Sequence, residues 1–140
     1  MDKITTEILD TVEVGALATV NRDRTPLVTP LHFVRVDKEV FWVSDRDSRH
    51  ALNAFRTGKV EFVVWNEAKD GVFLTTTVRE VTDEAEQEAI MAAYTQKMHG
   101  FVPPVPTPRI YAMPIGQLDE KTTTKNWRHY IAKDTTSSVQ

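Results

Sequence analysis

FWVSDRDSRHALNAFRTG, residues 41–58, reads as a strand that ends in a polar turn and passes at once into an amphipathic helix. Phe41, Trp42 and Val43 are large or β-branched side chains of the kind that fill a buried pleated surface. Asp45, Arg46, Asp47 and Ser48 then halt the strand and offer helix N-cap side chains. Ala51, Leu52, Ala54 and Phe55 supply an apolar stripe at helical spacing, and Gly58 is the expected stop. Free backbone N–H groups gather at the positive end of such a helix, where a phosphate is favoured. Arg46 and Arg49 lie within a turn of that end, Ser48 adds a hydroxyl, and Asn53 follows Arg49 by one helical turn. These residues read either as a socket for a phosphorylated ligand or as an ordinary capped helix with solvated arginines.

Upstream of the junction the chain is strand-like. Residues 15–20 form one strand, Asn21 to Arg24 are turn chemistry, and residues 27–36 form the next strand. Asp37, Lys38 and Glu39 turn the chain into residues 40–44. Strands joined by such tight turns are antiparallel neighbours, so the expectation is a meander. Pro30 cannot donate to a ladder, which predicts an edge, a bulge or a locally open position. Ahead of these strands, residues 5–12 predict a short helix with Ile8, Leu9 and Val12 on one face, covering the end of a sheet.

Downstream, residues 59–65 and 72–82 read as strands around a turn at 66–71. Asp83, followed by Glu84 and Glu86, starts another helix that ends near His99 and Gly100. The four prolines of residues 101–108 make an extended connector. Residues 109–118 form a last strand, and residues 125–131 (KNWRHYI) form a short aromatic, basic segment. That segment reads either as a helix docked on its own barrel or as an arm that stacks Trp127 on a planar ligand, with Arg128 answering negative charge. About six strands with two intervening helices do not alternate as βαβ units would. The expected fold class is mainly β: a six-stranded antiparallel barrel with helices at its openings, one domain over residues 1–132, and a flexible tail at 133–140.

Bulk composition narrows the function. At 41% apolar and 26% charged residues the chain is globular rather than disordered. A net charge of −3 argues against a general nucleic-acid partner, while leaving local cations to hold one small anion. The absence of cysteine excludes disulfides, thiolate metal sites and cysteine nucleophiles. No signal peptide or membrane span is legible, so a cytoplasmic location is expected. His32, His50, His99 and His129 lack the spacing of a helical metal site, so none is expected. The motifs of hydrolases, zinc proteases, nucleotide-binding P-loops and dinucleotide folds are missing.

Two patterns occur together. Asn21, Asp23, Pro26, Thr29 and Pro30 give N-x-D-x-x-P-x-x-T-P; Ser44, Asp47, Ser48, Arg49 and Asn53 give S-x-x-D-S-R-x-x-x-N. With the run between and around them, residues 15–83 resemble the pyridoxamine 5'-phosphate oxidase-like family of FMN-binding split barrels. The resemblance implies a homodimer with two flavin sites between the subunits and a small-molecule substrate. It implies that Val28, Thr29, Pro30 and Leu31 run beside the isoalloxazine with His32 near it. Ser44, Ser48 and Arg49 would hold the phosphate with Asn53 behind them, and Trp127 and Arg128 would reach the ring from the partner subunit. FMN chemistry makes an oxidoreductase the expected activity; a non-catalytic flavin or haem carrier and a coenzyme F420 protein are the alternatives. His32 is the candidate proton donor. Arg24 stands where many members of that family have glycine.

Overall fold

The structure, a computed structural model, describes residues 1–133. The tail expected from residue 133 falls, from residue 134 onward, outside the described residues. Alternating side chains set the first sheet. In β1 (Val14–Val20) Gly15, Leu17 and Thr19 point inward and their neighbours outward. β2 (Pro26–His32) pairs antiparallel with β1, with Ala16 opposite Pro30 and Ala18 opposite Val28. β5 (Val60–Trp65), β6 (Gly71–Thr76), β10 (Trp127–Ile131) and β9 (Gln117–Leu118) extend this sheet in the order β2-β1-β5-β6-β10-β9. The edge predicted from Pro30 is therefore real: β2 is the outermost strand.

A second sheet has the order β3-β4-β8-β7, with β3 (Val34–Val36), β4 (Glu39–Asp45), β8 (Pro108–Pro114) and β7 (Arg79–Glu80). Three predicted strands turn out to be two strands each. The run 27–36 passes from the first sheet to the second at Phe33; 72–82 does so at Thr77 and Val78; 109–118 returns at Ile115 and Gly116. A strand that bends across in this way forms a corner between two packed sheets. Gly116 makes the last corner possible, with φ +80° and Ile131 O within 2.2 Å of where a Cβ would sit. The described residues thus hold ten strands in two sheets rather than six in one barrel, and the hydrogen-bond ladder does not close on itself.

Between the sheets lies the main core, with Leu17, Phe33, Trp42, Phe62, Leu74, Tyr111 and Met113 all buried. Each large apolar side chain hidden there contributes about 1.5–3 kcal/mol. α1 (Lys3–Thr11) closes one end with Ile8 and Leu9. α2 (Arg49–Thr57) adds Ala51 and Ala54. α3 (Glu84–Lys97) instead covers the outer face of the second sheet, where Ile90 and Tyr94 meet Phe41, Val43 and Ile110. Lys97 Nζ donates to Leu9 O and Phe33 O, tying α3 to the end of α1 and to the first corner. Residues 125–131, for which a docked helix was one expectation, contain β10, which runs parallel to β6. No described helix is long and apolar enough to cross a membrane.

Candidate functional site

The junction between β4 and α2 departs from the other helix starts. Asp2 accepts a hydrogen bond from Thr5 N at 2.7 Å at the head of α1, and Asp83 accepts from Glu86 N at 2.9 Å at the head of α3. Ser48 occupies the same N-cap position for α2, but among the described residues its side chain caps nothing there. Its hydroxyl faces His50, whose Nε2 lies 3.4 Å from Ser48 Oγ and 3.2 Å from Ser44 Oγ. Ser44 is buried at the end of β4, and His50 is only 8% exposed. Burial pushes the His50 imidazole below its ordinary value of 6.5, which favours the neutral ring. The result is a helix start with uncapped N–H groups, two hydroxyls and a buried imidazole together.

α2 is turned from its expected orientation. Its buried positions are His50, Ala51, Asn53 and Ala54, while Leu52 is 55% and Phe55 48% exposed. The predicted stripe at 51, 52, 54 and 55 is thus shifted by one residue. Asn53, 3% exposed, donates through Nδ2 to Thr19 Oγ1 at 3.2 Å and Asn21 Oδ1 at 2.9 Å, and it accepts from Arg56 Nη1 at 3.0 Å. Arg56 also donates to Val20 O. These bonds fasten α2 to the β1–β2 hairpin. Arg49, Arg56 and Arg22, with Asn21, Asp23, Thr25, Leu52 and Asn53, line an open cleft of about 530 Å³ between them. Arg49 therefore faces the hairpin, with Asn53 beside it.

The remaining predicted residues lie on the first sheet. Val28, Pro30 and His32 share the outward face of β2, opposite Ala18, Ala16 and Val14, whereas Leu31 is buried inward. Thr29 pairs with Leu17 and shares Leu31's side. Val28 is 65% exposed, and His32 packs beside Phe101 with ring centres 5.1 Å apart. Trp127 is on the same outward face but four strands away. It lies over Gly71, where any Cβ would overlap its ring, and against Phe73 at 5.2 Å. With Val63, Trp65 and Lys69 these rings form a second open cleft, of about 570 Å³. His129 fastens this strand through bonds of 2.6 Å to Thr75 Oγ1 and to Thr122 Oγ1. Arg128 points the other way, and its Nε donates to Asp2 Oδ2 at 2.8 Å.

One chain thus brings Ser44 and Ser48 together at His50, Arg49 and Asn53 together on the hairpin side of α2, and Val28, Pro30 and His32 together along the edge of β2. Trp127 joins none of these, and Arg128 is held at the head of α1. Sequence reasoning missed His50 and Arg56. His50 had one signal, its place two residues after Ser48 and six after Ser44 in S-x-x-D-S-R-H; Arg56 had only its helical spacing from Arg49 and Asn53.

The family model for pyridoxamine 5'-phosphate oxidase matches residues 1–115. No curated protein matches the chain. Among solved structures the chain is similar to an F420 reductase, at 17% identity and TM-score 0.66, over 81% of this chain and 94% of that one. It is similar to a FAD-binding protein from Mesorhizobium loti, at 16% identity and TM-score 0.65, over 84% of this chain and 91% of that one. HutZ, the heme storage protein from Vibrio cholerae, is similar at 16% identity and TM-score 0.66, over 78% of this chain and 85% of that one.

Proposed function

The chain belongs to the pyridoxamine 5'-phosphate oxidase family, and from that premise we propose that it is an FMN-dependent oxidoreductase working as a homodimer on a small-molecule substrate. The observation that carries the reading is the start of α2. Its first-turn N–H groups lack the aspartate cap given to α1 and α3, and the hydroxyl of its N-cap Ser48 turns, like that of Ser44, to the His50 ring. A helix start of this kind suits a phosphate. Arg49 adds a cation that can bind two phosphate oxygens at once. Asn53 holds α2 against the hairpin that carries β2.

In this reading the isoalloxazine lies along the free edge of β2. Backbone groups of Val28, Thr29, Pro30 and Leu31 meet its polar rim, and His32 stands near it. FMN supplies the two-electron chemistry when bound. The chain's part is to hold the phosphate, orient the ring and shape its open face. The two sheets with their three corners are then one half of a split-barrel dimer.

The dimer is proposed from distance and from surface. β2 and β10 are separated by four inter-strand steps, about 19 Å at ~4.8 Å per step, so Trp127 does not reach the β2 edge of its own subunit. The outward face of the first sheet exposes Val14, Val20, Val28, Trp65 and Phe73, a run of apolar side chains that a second copy would cover. A partner docked there brings its own Trp127 to the flavin.

Coenzyme F420 is the second reading, and one observation favours it. Arg22 and Arg56 line the same cleft as Arg49, so the cations extend from the α2 start to the hairpin, a spread that suits a longer anionic tail. Titration of the purified protein with FMN and with F420, followed by visible absorbance, separates the two. A flavin spectrum that survives desalting is the expected result, and a preference for F420 would replace FMN as the cofactor. Replacing Arg49 by Ala is expected to weaken FMN binding by about 1.5–3 kcal/mol. Unchanged affinity in that variant would remove Arg49 from the site.

A further inference from the structure

We infer that His50 is a positioning residue for the anion socket, presenting a protonated Nε2 to Ser44 and Ser48 so that both hydroxyls can turn their protons toward a bound phosphate. This rests on the phosphate reading of the α2 junction. The geometry leaves little choice: one ring nitrogen is within reach of two hydroxyl oxygens, at 3.2 and 3.4 Å. A hydroxyl has one proton to give and two lone pairs, and a ring nitrogen either donates one proton or accepts one. If Nε2 is bare, one serine spends its proton on the ring and meets the anion with lone pairs alone. If Nε2 carries the proton, the serines accept from the ring and keep both O–H groups for the ligand. An anion in the socket therefore selects the Nε2–H tautomer near neutral pH and the imidazolium in more acidic solution.

The groups around the ring define what else bears on it. Trp42 flanks it, with ring centres 6.3 Å apart. The turn that precedes α2 carries Asp45, Arg46 and Asp47, and α2 itself adds Arg49. From β8, Arg109 stands opposite Ser44, and beyond it the phenol of Tyr111 is pushed up to about 12 by burial. Among these side-chain types only the imidazole ordinarily titrates between about pH 5 and 8. Among the groups around the ring, the proton taken up in that range is assigned to His50.

The test follows the ring directly. Histidine-¹⁵N-labelled protein is titrated with FMN while the His50 ring nitrogens are observed by NMR, and FMN affinity is measured for His50→Gln and His50→Ala. As FMN saturates, Nε2 is expected to move to the shift of a protonated nitrogen. Gln places an N–H donor near the position of Nε2 but does not titrate, so it keeps affinity within about threefold, whereas Ala loses about tenfold. The ratio of wild-type to Gln affinity is expected to rise as pH falls from about 8 to about 6.5, a ratio from which the ionisation of FMN itself cancels. FMN bound over an unprotonated Nε2, or Gln and Ala weakening alike, would overturn the inference and leave the flavin reading standing. A wild-type protein that binds no FMN would overturn both.

Discussion

α1 and α3 each begin behind an aspartate whose carboxylate accepts a first-turn N–H, whereas α2 begins behind a serine whose hydroxyl faces a buried histidine. The first two helices follow the local rule of capping, and their work is to cover sheet ends and faces. α2 differs from them in several places. It leaves its N-terminus without a cap, buries His50 and Asn53, and exposes Leu52 and Phe55. A chain that caps two helices well has the means to cap the third. Where local choices disagree with folding alone, the disagreement points to a site, and several such departures gather on α2.

The sharpest way to break this contrast is to give α2 the cap the others have. Ser48→Asp should stabilise the unliganded protein by up to about 1 kcal/mol, because aspartate is among the best N-caps. It should also place a carboxylate where the phosphate is proposed to sit. Two like charges about 4 Å apart at an effective dielectric of 20 repel by roughly 4 kcal/mol, so FMN affinity should fall by a hundredfold or more. Thermal unfolding and FMN titration of the one variant measure both effects. A gain in stability with no loss of affinity would make the missing cap an accident.

The second comparison lies within the capped pair. Asp2 both caps α1 and pairs with Arg128, whereas Asp83 caps α3 and makes no ion pair among the described residues. Asp2→Ala should cost about 2 kcal/mol, the sum of a cap and a part-exposed ion pair, and Asp83→Ala about 1 kcal/mol. Burial pushes the Asp2 carboxyl up, but hydrogen bonds from Thr5 and Arg128 outweigh it and hold the group below its ordinary value of 3.8. Its folded-state value is therefore depressed. The stability it contributes is full above about pH 4 and is lost as pH falls through the lowered value. Urea unfolding at several acid pH values should show a steeper loss in the wild type than in Asp2→Ala, which keeps the lowered carboxyls of Asp23 and Glu86. Equal costs for the two alanine variants would mean that Arg128 gains nothing from Asp2.

These contrasts explain what the sequence could reveal. Asp83 was legible because the cap is followed by Glu84 and Glu86, and the short hairpin turns were legible from their polar residues. The corners were not. Phe33 sits inside an unbroken strand-like run, and it is a corner because residues 26–32 pair with β1 while residues 34–36 pair with β4. That is a matter of long-range pairing, which periodicity along one strand does not contain. The orientation of α2 was missed for a related reason. A stripe at 51, 52, 54 and 55 and one at 50, 51, 53 and 54 have the same period and differ by a rotation of about 100°. Hydrophobicity chose the first, and the polar partners Ser44, Thr19 and Asn21 fix the second. The proposed phosphate socket was suggested by residue types because Ser48 and Arg49 adjoin a helix start. His50 escaped because its role depends on Ser44, six residues away on another element.

The smallest expected effect asks how far the rule-breaking region extends. Asn53 bonds to Asn21 at the β1–β2 turn, and in that same turn Arg24 holds φ +70° while its N–H donates to Asn21 O. A left-handed conformation costs an ordinary side chain about 1 kcal/mol and glycine almost nothing. Arg24→Gly should therefore raise stability by about 0.5–1 kcal/mol, the cost of the strain partly offset by the freer unfolded chain. Arg24 does not line the cleft shared by Arg22, Arg49 and Arg56, so FMN affinity should stay the same. With both results the strain is simply unoptimised, and the ligand-directed departures stop at Asn21. A variant that gains stability but loses FMN affinity would carry the site out to the hairpin tip. The contrast would then lie between the capped framework and a continuous unit of hairpin plus α2.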